Sequence, residues 1–515
     1  MTTLLDLIET AASAWGDRTA VEFDQCGTKI SYAQLHEQTG NIACNLIALG
    51  LAPGDRVGVC MANSPQYPLS WLGILKAGGV IVPLNMAYRS EDALHICEVS
   101  QIKFLICDAE RAELFQSLND KLPHLENIFV TGGENSFETL LQSSATPLDV
   151  PLESHDITNL QFTSGTTGLP KGCVLTHRYW IEMIDAIRRE VMEITPQDVM
   201  LTAQAFSYID PQWALALCLR SGAKLVVLER FRPSEFWDKI AHYDATFFYC
   251  LAAMPLMMLS VPPSPAEKQH KVRAAFCSAI PAARHMELEQ RFNCPWTEGY
   301  GSTETGSDVR VPLAEHLSYV GSGSIGTPYT HREVDIVDDE DSSVGVGTLG
   351  ELVVRGPGMM RGYWQMPDET AKVFRNGWYH SGDLATRDEK GRITLVGRKR
   401  DVIRRAGENI AAVELETVLQ LHPAVELAAC VSVPDPIRNE EVMALVVTRE
   451  TTTIAELVSF MEERLAAFKV PRYWKIVTEL PLTPSARVAK PKISRTIDES
   501  VFDRRQSEET SSSTA

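Results

Sequence analysis

Short apolar, β-branched runs alternate with amphipathic stretches along the first part of the chain. Residues 57–61, following the turn Pro53-Gly54-Asp55, read as a buried strand, and so do 79–83 and 104–107. The stretch 67–76 between them reads as a helix. Strand and helix in alternation imply right-handed crossovers and a largely parallel sheet. The alternation continues through a strand at 224–228, a helix at 233–241 and a strand at 245–249. Near Gly345 the pattern changes to short strands at close spacing, 350–355, 377–380 and 392–396, as in a small antiparallel barrel. A basic stretch, 398–405, marks a boundary. Beyond it a helix at 413–421, a strand at 428–433 and a helix at 454–465 form an α+β pattern. The expected fold is α/β, with doubly wound sheets and a small β-barrel (about 330–397) in a domain of residues 1–398. A smaller, mobile α+β domain of residues 399–515 follows, its Ser/Thr/Glu-rich tail disordered from about 507. The first fifteen residues read as an amphipathic helix that buries Leu4, Leu5, Ile8, Ala11 and Ala12, without the positive start of a signal peptide.

Composition narrows the function. A chain of 515 residues exceeds what one core supports, so two domains or more are expected. The formal net charge of -19 argues against nucleic-acid or anionic-membrane partners, although a nucleotide site can be locally basic. No apolar run is long enough to span a bilayer. The 11 cysteines are scattered, with no CxxC pair and no Cys/His cluster at zinc spacing, as in a reduced, cytoplasmic protein.

The most informative segment is Thr163-Ser164-Gly165-Thr166-Thr167-Gly168-Leu169-Pro170-Lys171-Gly172. Its glycines let the backbone turn tightly and aim N–H groups at an anion. Four hydroxyl residues add uncharged donors, and Lys171 adds a mobile positive charge. That chemistry holds a triphosphate, but the spacing is not GxxxxGK[ST], the usual nucleoside-triphosphatase loop.

This loop resembles that of the superfamily containing acyl- and aryl-CoA synthetases, peptide-synthetase adenylation domains and beetle luciferases. Further strings match in order: Glu298-Gly299-Tyr300-Gly301-Ser302-Thr303-Glu304, Gly350-Glu351-Leu352, Ser381-Gly382-Asp383, Gly397-Arg398-Lys399-Arg400-Asp401, Gly407-Glu408-Asn409-Ile410 and Pro484-Ser485-Ala486-Arg487. The resemblance runs from residues 32–35 to Ile493. It implies an ATP-dependent carboxylic acid–CoA ligase that forms an acyl-adenylate and releases pyrophosphate and AMP, with Mg²⁺ and coenzyme A required. Tyr300 would stack on adenine. Thr303 would donate to the α-phosphate, and Glu304 would bind Mg²⁺, a hard cation that takes oxygen ligands. Asp383 would accept from the ribose hydroxyls, with Arg398 beside ribose or phosphate. Arg400 stands at the hinge position, and Gly407 on a loop that enters the site during thioester formation. Ser207, Asp210, Trp213 and Ala279 would line the acid pocket.

Two features depart from the family pattern. The usual glycine–lysine pair of the C-terminal loop is Ala486-Arg487, and Arg is longer, planar and stricter in geometry than Lys. Arg487 would be the catalytic cation; Lys490 is close in sequence. Many relatives carry His at the Ser207 position, where it lines the acid site. The segment Phe206-Ser207-Tyr208-Ile209-Asp210, with Gln212, resembles ligases of the crotonobetaine/carnitine type, in which a carboxylate and an aromatic suit a cationic substrate. Against this stands a bland alternative, in which Asp210 caps a helix and Trp213 packs in the core. Transfer to a carrier-protein thiol or an amine, decayed adenylation activity and a homodimer also stay open.

Overall fold

The computed structural model describes residues 2–133, 136–146, 148, 150–163, 170–251, 253–406, 408–483 and 488–505. Among the described residues three sheets form. In the first, Asn127–Val130, Phe104–Cys107, Arg56–Cys60, Val80–Pro83, Ile157–Thr163 and Lys171–Thr176 lie side by side in that order. Neighbours are parallel except the last pair, a hairpin in which Thr163 faces Lys171. The helices Gln66–Lys76, Ser90–Ser100 and Ala109–Leu118 make the crossovers that the alternation predicts. Side-chain alternation fills two cores at once. Val57, Val59, Ile81 and Phe104 face one core. Cys60, Val82, Leu105 and Cys107 face the other. Burial on both faces is why these strands read as continuous apolar runs.

The second sheet is parallel from Thr19–Phe23 through Lys224–Val227, Val199–Thr202, Phe247–Leu251 and Ala274–Ser278 to Trp296–Tyr300. It then continues antiparallel through Val309–Arg310, Ser324–Pro328, Ile393–Arg398, Trp378–Arg387, Gly350–Arg355 and Glu333–Val337. These antiparallel strands close on a core of their own, containing Ile325, Ile336, Leu352, Val354 and Ile393. The strand expected at 377–380 runs on to Arg387. Its polar continuation, Ser381-Gly382-Asp383, hides it from a hydrophobic pattern, yet that continuation sets Asp383 opposite Arg398.

The C-terminal sheet joins Glu408–Ala411, Val402–Arg405, Asn439–Thr448, Tyr473–Ile476 and Phe502–Asp503, with Val425–Asp435 paired to Asn439–Thr448. The helices Ala412–Leu419 and Ile454–Glu462 cover it through Leu415, Leu419 and Leu457. At the other end of the chain, the helix Leu4–Trp15 starts in a capping box between Thr3 and Asp6 and buries Leu4, Leu7, Ile8 and Ala11. Leu7 thus takes the inward position expected of Leu5, and Ala12 is only half-buried. No helix among the described residues is long and apolar enough to cross a membrane.

Candidate active site

Thr163, Ser278 and Tyr300 each end a parallel strand, and carboxyl ends of such strands are where ligands collect in open α/β sheets. The Tyr300 hydroxyl donates to Asp383 Oδ2 at 2.6 Å, and Arg398 Nε donates to Asp383 Oδ1 at 2.7 Å. Burial, reinforced by Asp383, pushes the Tyr300 hydroxyl far above its usual range, so it stays a donor. The buried carboxylate on which the ribose is expected to sit therefore already has two partners.

After Tyr300 the chain makes a tight turn that presents Thr303 and Glu304. A Cβ on Gly301 would lie 1.8 Å from the Gly306 carbonyl oxygen, so only glycine fits there. Asp308 donates its N–H back to the Tyr300 carbonyl at 3.0 Å. Below the turn, Arg332 Nε pairs with Asp308 Oδ1 at 3.0 Å, and the guanidinium is fully buried. The Thr305 hydroxyl also donates to Asp308. This buried pair makes the turn rigid and leaves Thr303 and Glu304 half-buried above it. Among the described residues the Glu304 carboxylate accepts one hydrogen bond, from the Tyr363 hydroxyl at 3.1 Å. No cluster of three or more metal-ligating side chains exists among the described residues. A lone carboxylate fits a Mg²⁺ whose other ligands are phosphate oxygens and water, which is how that ion is usually held.

Lys171 opens the second strand of the hairpin whose loop carries the phosphate-binding string; residues 164–169, with Ser164, Gly165, Thr166, Thr167 and Gly168, lie outside the described residues. Its ammonium is paired with Glu369 and sits 5.3 Å from the centre of the Tyr363 ring. Residues 361–364 run beside this hairpin: Val174 and Trp364 donate to Gly362 and Gly172 carbonyls at 3.0 and 2.7 Å. Tyr363 thus connects Lys171 to Glu304. Arg398, Asp383 and Tyr300 form one line of contacts and Glu304, Tyr363, Lys171 and Glu369 another, and the turn from Tyr300 to Glu304 joins the two along the chain.

On the acid side, Ser207 is buried, and its carbonyl accepts from Gln161 Nε2 at 2.7 Å. Gln212 donates to the Phe206 carbonyl and accepts from Asn159, both at 2.8 Å, so buried amides fix this segment. Asp210 is the second residue of the helix Ile209–Ser221, whose N-cap is Tyr208. It favours the helix dipole but does not cap the helix. Trp213 is 4% exposed and meets Tyr249 edge to face at 5.3 Å. The Tyr249 hydroxyl lies 2.8 Å from Ser278 Oγ, one residue before Ala279, so Tyr249 brings Trp213 and Ala279 together.

Ala279 has φ +75°, a left-handed conformation that costs a non-glycine residue energy. It is held there by Glu298, the first residue of the Glu298–Glu304 string. Glu298 Oε1 and Oε2 accept the N–H groups of Ala279 and Ile280, each at 2.7 Å. Burial pushes the Glu298 carboxyl up to about 8 despite these donors. Glu298, Tyr363 and Glu369 are the residues that sequence reasoning missed here. The string Gly362-Tyr363 with Pro367-Asp368-Glu369-Thr370, next to a strand signal, was the available clue.

At the start of the C-terminal part, Arg400 lies in the turn Lys399–Asp401, half-exposed, 3.7 Å from Asp401. Gly407 and Arg487 lie outside the described residues. Lys490 is not a spare cation: its Nζ is 2.8 Å from Glu416 and 3.8 Å from Asp401.

Comparison with known proteins identifies the family. The AMP-binding enzyme family matches residues 8–364, and the AMP-binding enzyme C-terminal domain matches residues 414–487. The crotonobetaine/carnitine–CoA ligase of Salmonella typhimurium (strain LT2) is 31% identical over 501 residues, covering 93% of this chain and 96% of that one. ATP-bound MatB from Rhodopseudomonas palustris is 26% identical, with a TM-score of 0.87 over 95% of this chain and 98% of that one. Its apo form, over the same shares, gives 0.76, so the fold described here follows the ATP-bound form more closely. The chain belongs to the AMP-binding enzyme family.

Proposed function

We infer that this protein is an ATP-dependent carboxylic acid–CoA ligase. The acid carboxylate attacks the α-phosphorus of ATP in line, and pyrophosphate leaves. The coenzyme A thiol then attacks the acyl carbon of the adenylate, and AMP leaves. Catalysis of the first step is positioning plus neutralisation of phosphate charge. The observation that carries this reading is that the Tyr300–Glu304 turn joins two sets of contacts, Arg398 with Asp383 and Tyr300 on one side and Glu304 with Tyr363 and Lys171 on the other. Together they provide a flat aromatic face and a hydroxyl-binding carboxylate at one end and an ammonium at the other. In this reading Tyr300 takes adenine, Asp383 and Arg398 the ribose, Thr303 the α-phosphate, and Lys171 with the 163–168 string the β- and γ-phosphates. Mg²⁺, when bound at Glu304, supplies charge neutralisation. Arg400 is the pivot, Gly407 borders the thiol path, and Arg487 delivers a cation to the α-phosphate. Eleven free thiols suit a reducing, cytoplasmic setting.

The acid is larger or more functionalised than acetate. Ser207 leaves room where an imidazole stands in many relatives, and Asp210 offers a carboxylate at the start of its helix. The similarity to a crotonobetaine/carnitine–CoA ligase supports an acid bearing a cationic group. Incubation with ATP, Mg²⁺, hydroxylamine and a panel of acids tests adenylation, and addition of coenzyme A tests the acceptor. Trimethylammonium acids should give a higher kcat/KM than their neutral isosteres; a highest value for acetate or propionate would refute the pocket assignment.

A further inference from the structure

We propose that Glu369 is an internal stand-in for the nucleotide phosphates: it holds Lys171 in the empty enzyme, competes with ATP for it, and passes its charge to Lys372 when ATP binds. This rests on the adenylating reading above and adds a residue that sets ATP affinity.

Glu369 lies in the first turn of the helix Pro367–Val373, outside the phosphate-loop hairpin. One carboxylate oxygen, Oε2, contacts the Lys171 ammonium; the other, Oε1, contacts Lys372. The two lysines differ in setting. The Lys171 side chain is only 13% exposed, whereas Lys372, one helical turn on, is 68% exposed. Both lysines hold the Glu369 carboxyl well below the usual carboxylate range, so it is ionised at any working pH.

Lys171 has a compact, mobile ammonium with three donors but a single charge, so its attraction to a phosphate is weakened while Glu369 shares that charge. Withdrawing Lys171 from a carboxylate would ordinarily leave an unpaired anion beside an incoming tetra-anionic ligand. Here Lys372 already contacts the second oxygen and remains when Lys171 leaves. The exchange therefore replaces one ion pair by another and strands no charge. Tyr363 guides the transfer. Its ring faces the Lys171 ammonium, and its backbone N–H donates to Thr370 Oγ1 at 2.8 Å, which ties the ring to the helix that carries Glu369.

The test is equilibrium binding of ATP and of α,β-methylene-ATP, with Mg²⁺, to the full chain without acid or coenzyme A. Glu369→Gln removes the competitor and should tighten binding roughly two- to fivefold, the range of an exposed ion pair. Lys372→Ala, a change at an exposed residue outside the phosphate-loop hairpin, should weaken binding by a similar factor, and Lys372→Arg should keep the parent affinity. In the Glu369→Gln background, Lys372→Ala should have no effect. Weaker binding in Glu369→Gln at an unchanged Tm would overturn the proposal, because Glu369 would then merely position Lys171. So would an equal effect of Lys372→Ala in both backgrounds, which would mark general electrostatics. A parent protein that binds no ATP at all would refute the proposed function itself, a result distinct from either.

Discussion

Two carboxylates near the same turn, Asp383 buried and Glu304 half-buried, have opposite partners. Asp383 is satisfied by a phenol and a guanidinium. Glu304 has one phenolic donor and no cation within ion-pair distance among the described residues. A carboxylate without a cation partner is what the proposed Mg²⁺ role of Glu304 requires, since that ion would arrive with the nucleotide. Glu304→Gln keeps the shape and a hydrogen-bond acceptor for Tyr363 but removes the charge. Acyl-adenylate formation should slow on the order of 10²-fold and require more Mg²⁺, as loss of one preorganised electrostatic contact does. Pyrophosphate release at saturating ATP and varied Mg²⁺ reads this directly; an unchanged rate would remove Glu304 from the metal site. Arg332 and Asp308 explain why the carboxylate is presented so steadily. Fully buried and paired, they belong to the support of the turn, and no short motif announced them.

Elements were legible where burial is two-sided or strictly alternating. The strand Phe104–Cys107 matches its expected bounds, and the helix Gln66–Lys76 differs by one residue, because apolar runs bounded by turns leave little choice. Polar functional strands were not legible. Ser381-Gly382-Asp383 ends a hydrophobic pattern but not a strand, since pairing with Gly350–Arg355 and Ile393–Arg398 carries it onward. For the same reason the site strings could be located by sequence, but not the ties between them, which join residues distant in the chain. Glu298 is one such tie, fastening the end of Trp296–Tyr300 to the left-handed Ala279 after Ala274–Ser278. Its carboxyl ionises near pH 4.3 in an unfolded chain but only at about 8 in the fold, where burial opposes the charge. Between those values the folded state binds more protons than the unfolded one, so this group lowers stability as pH rises. Glu298→Gln does not titrate. It should be less stable than the parent at pH 5, by roughly 1–3 kcal/mol, because an amide nitrogen must face one of the two backbone donors. The deficit should shrink by pH 8. Thermal melts at the two pH values decide it, and a constant gap would mean that Glu298 does not titrate there.

At the scale of the whole molecule the proposed function raises the question of which cation of the C-terminal part would reach the α-phosphate. The fold follows ATP-bound MatB more closely than apo MatB. Lys490 is committed elsewhere. It binds Glu416, on the helix Ala412–Leu419, and lies 3.8 Å from Asp401 beside the proposed pivot Arg400, so releasing it would leave a mostly buried carboxylate without its cation. That leaves Arg487, which follows the Ala486 of the family's C-terminal loop, as the proposed donor. Adenylation needs the cation, whereas thiol attack on a preformed acyl-adenylate does not. The two half-reactions should therefore separate at this one position. Arg487→Ala should slow acyl-adenylate formation by on the order of 2–4 kcal/mol, the usual loss for one charge-assisted contact made in the transition state. Coenzyme A attack on chemically supplied acyl-adenylate should proceed at the parent rate. Arg487→Lys restores the compact donor usual in the family and should keep or raise the first rate. Lys490→Ala, in contrast, should lower the melting temperature and slow both half-reactions together, since it unties the Glu416 anchor and not the α-phosphate. Single-turnover kinetics of each half-reaction in the four proteins distinguishes these outcomes. Parent-rate adenylation by Arg487→Ala would reject Arg487 as the donor. A loss confined to adenylation in Lys490→Ala would transfer the role to Lys490.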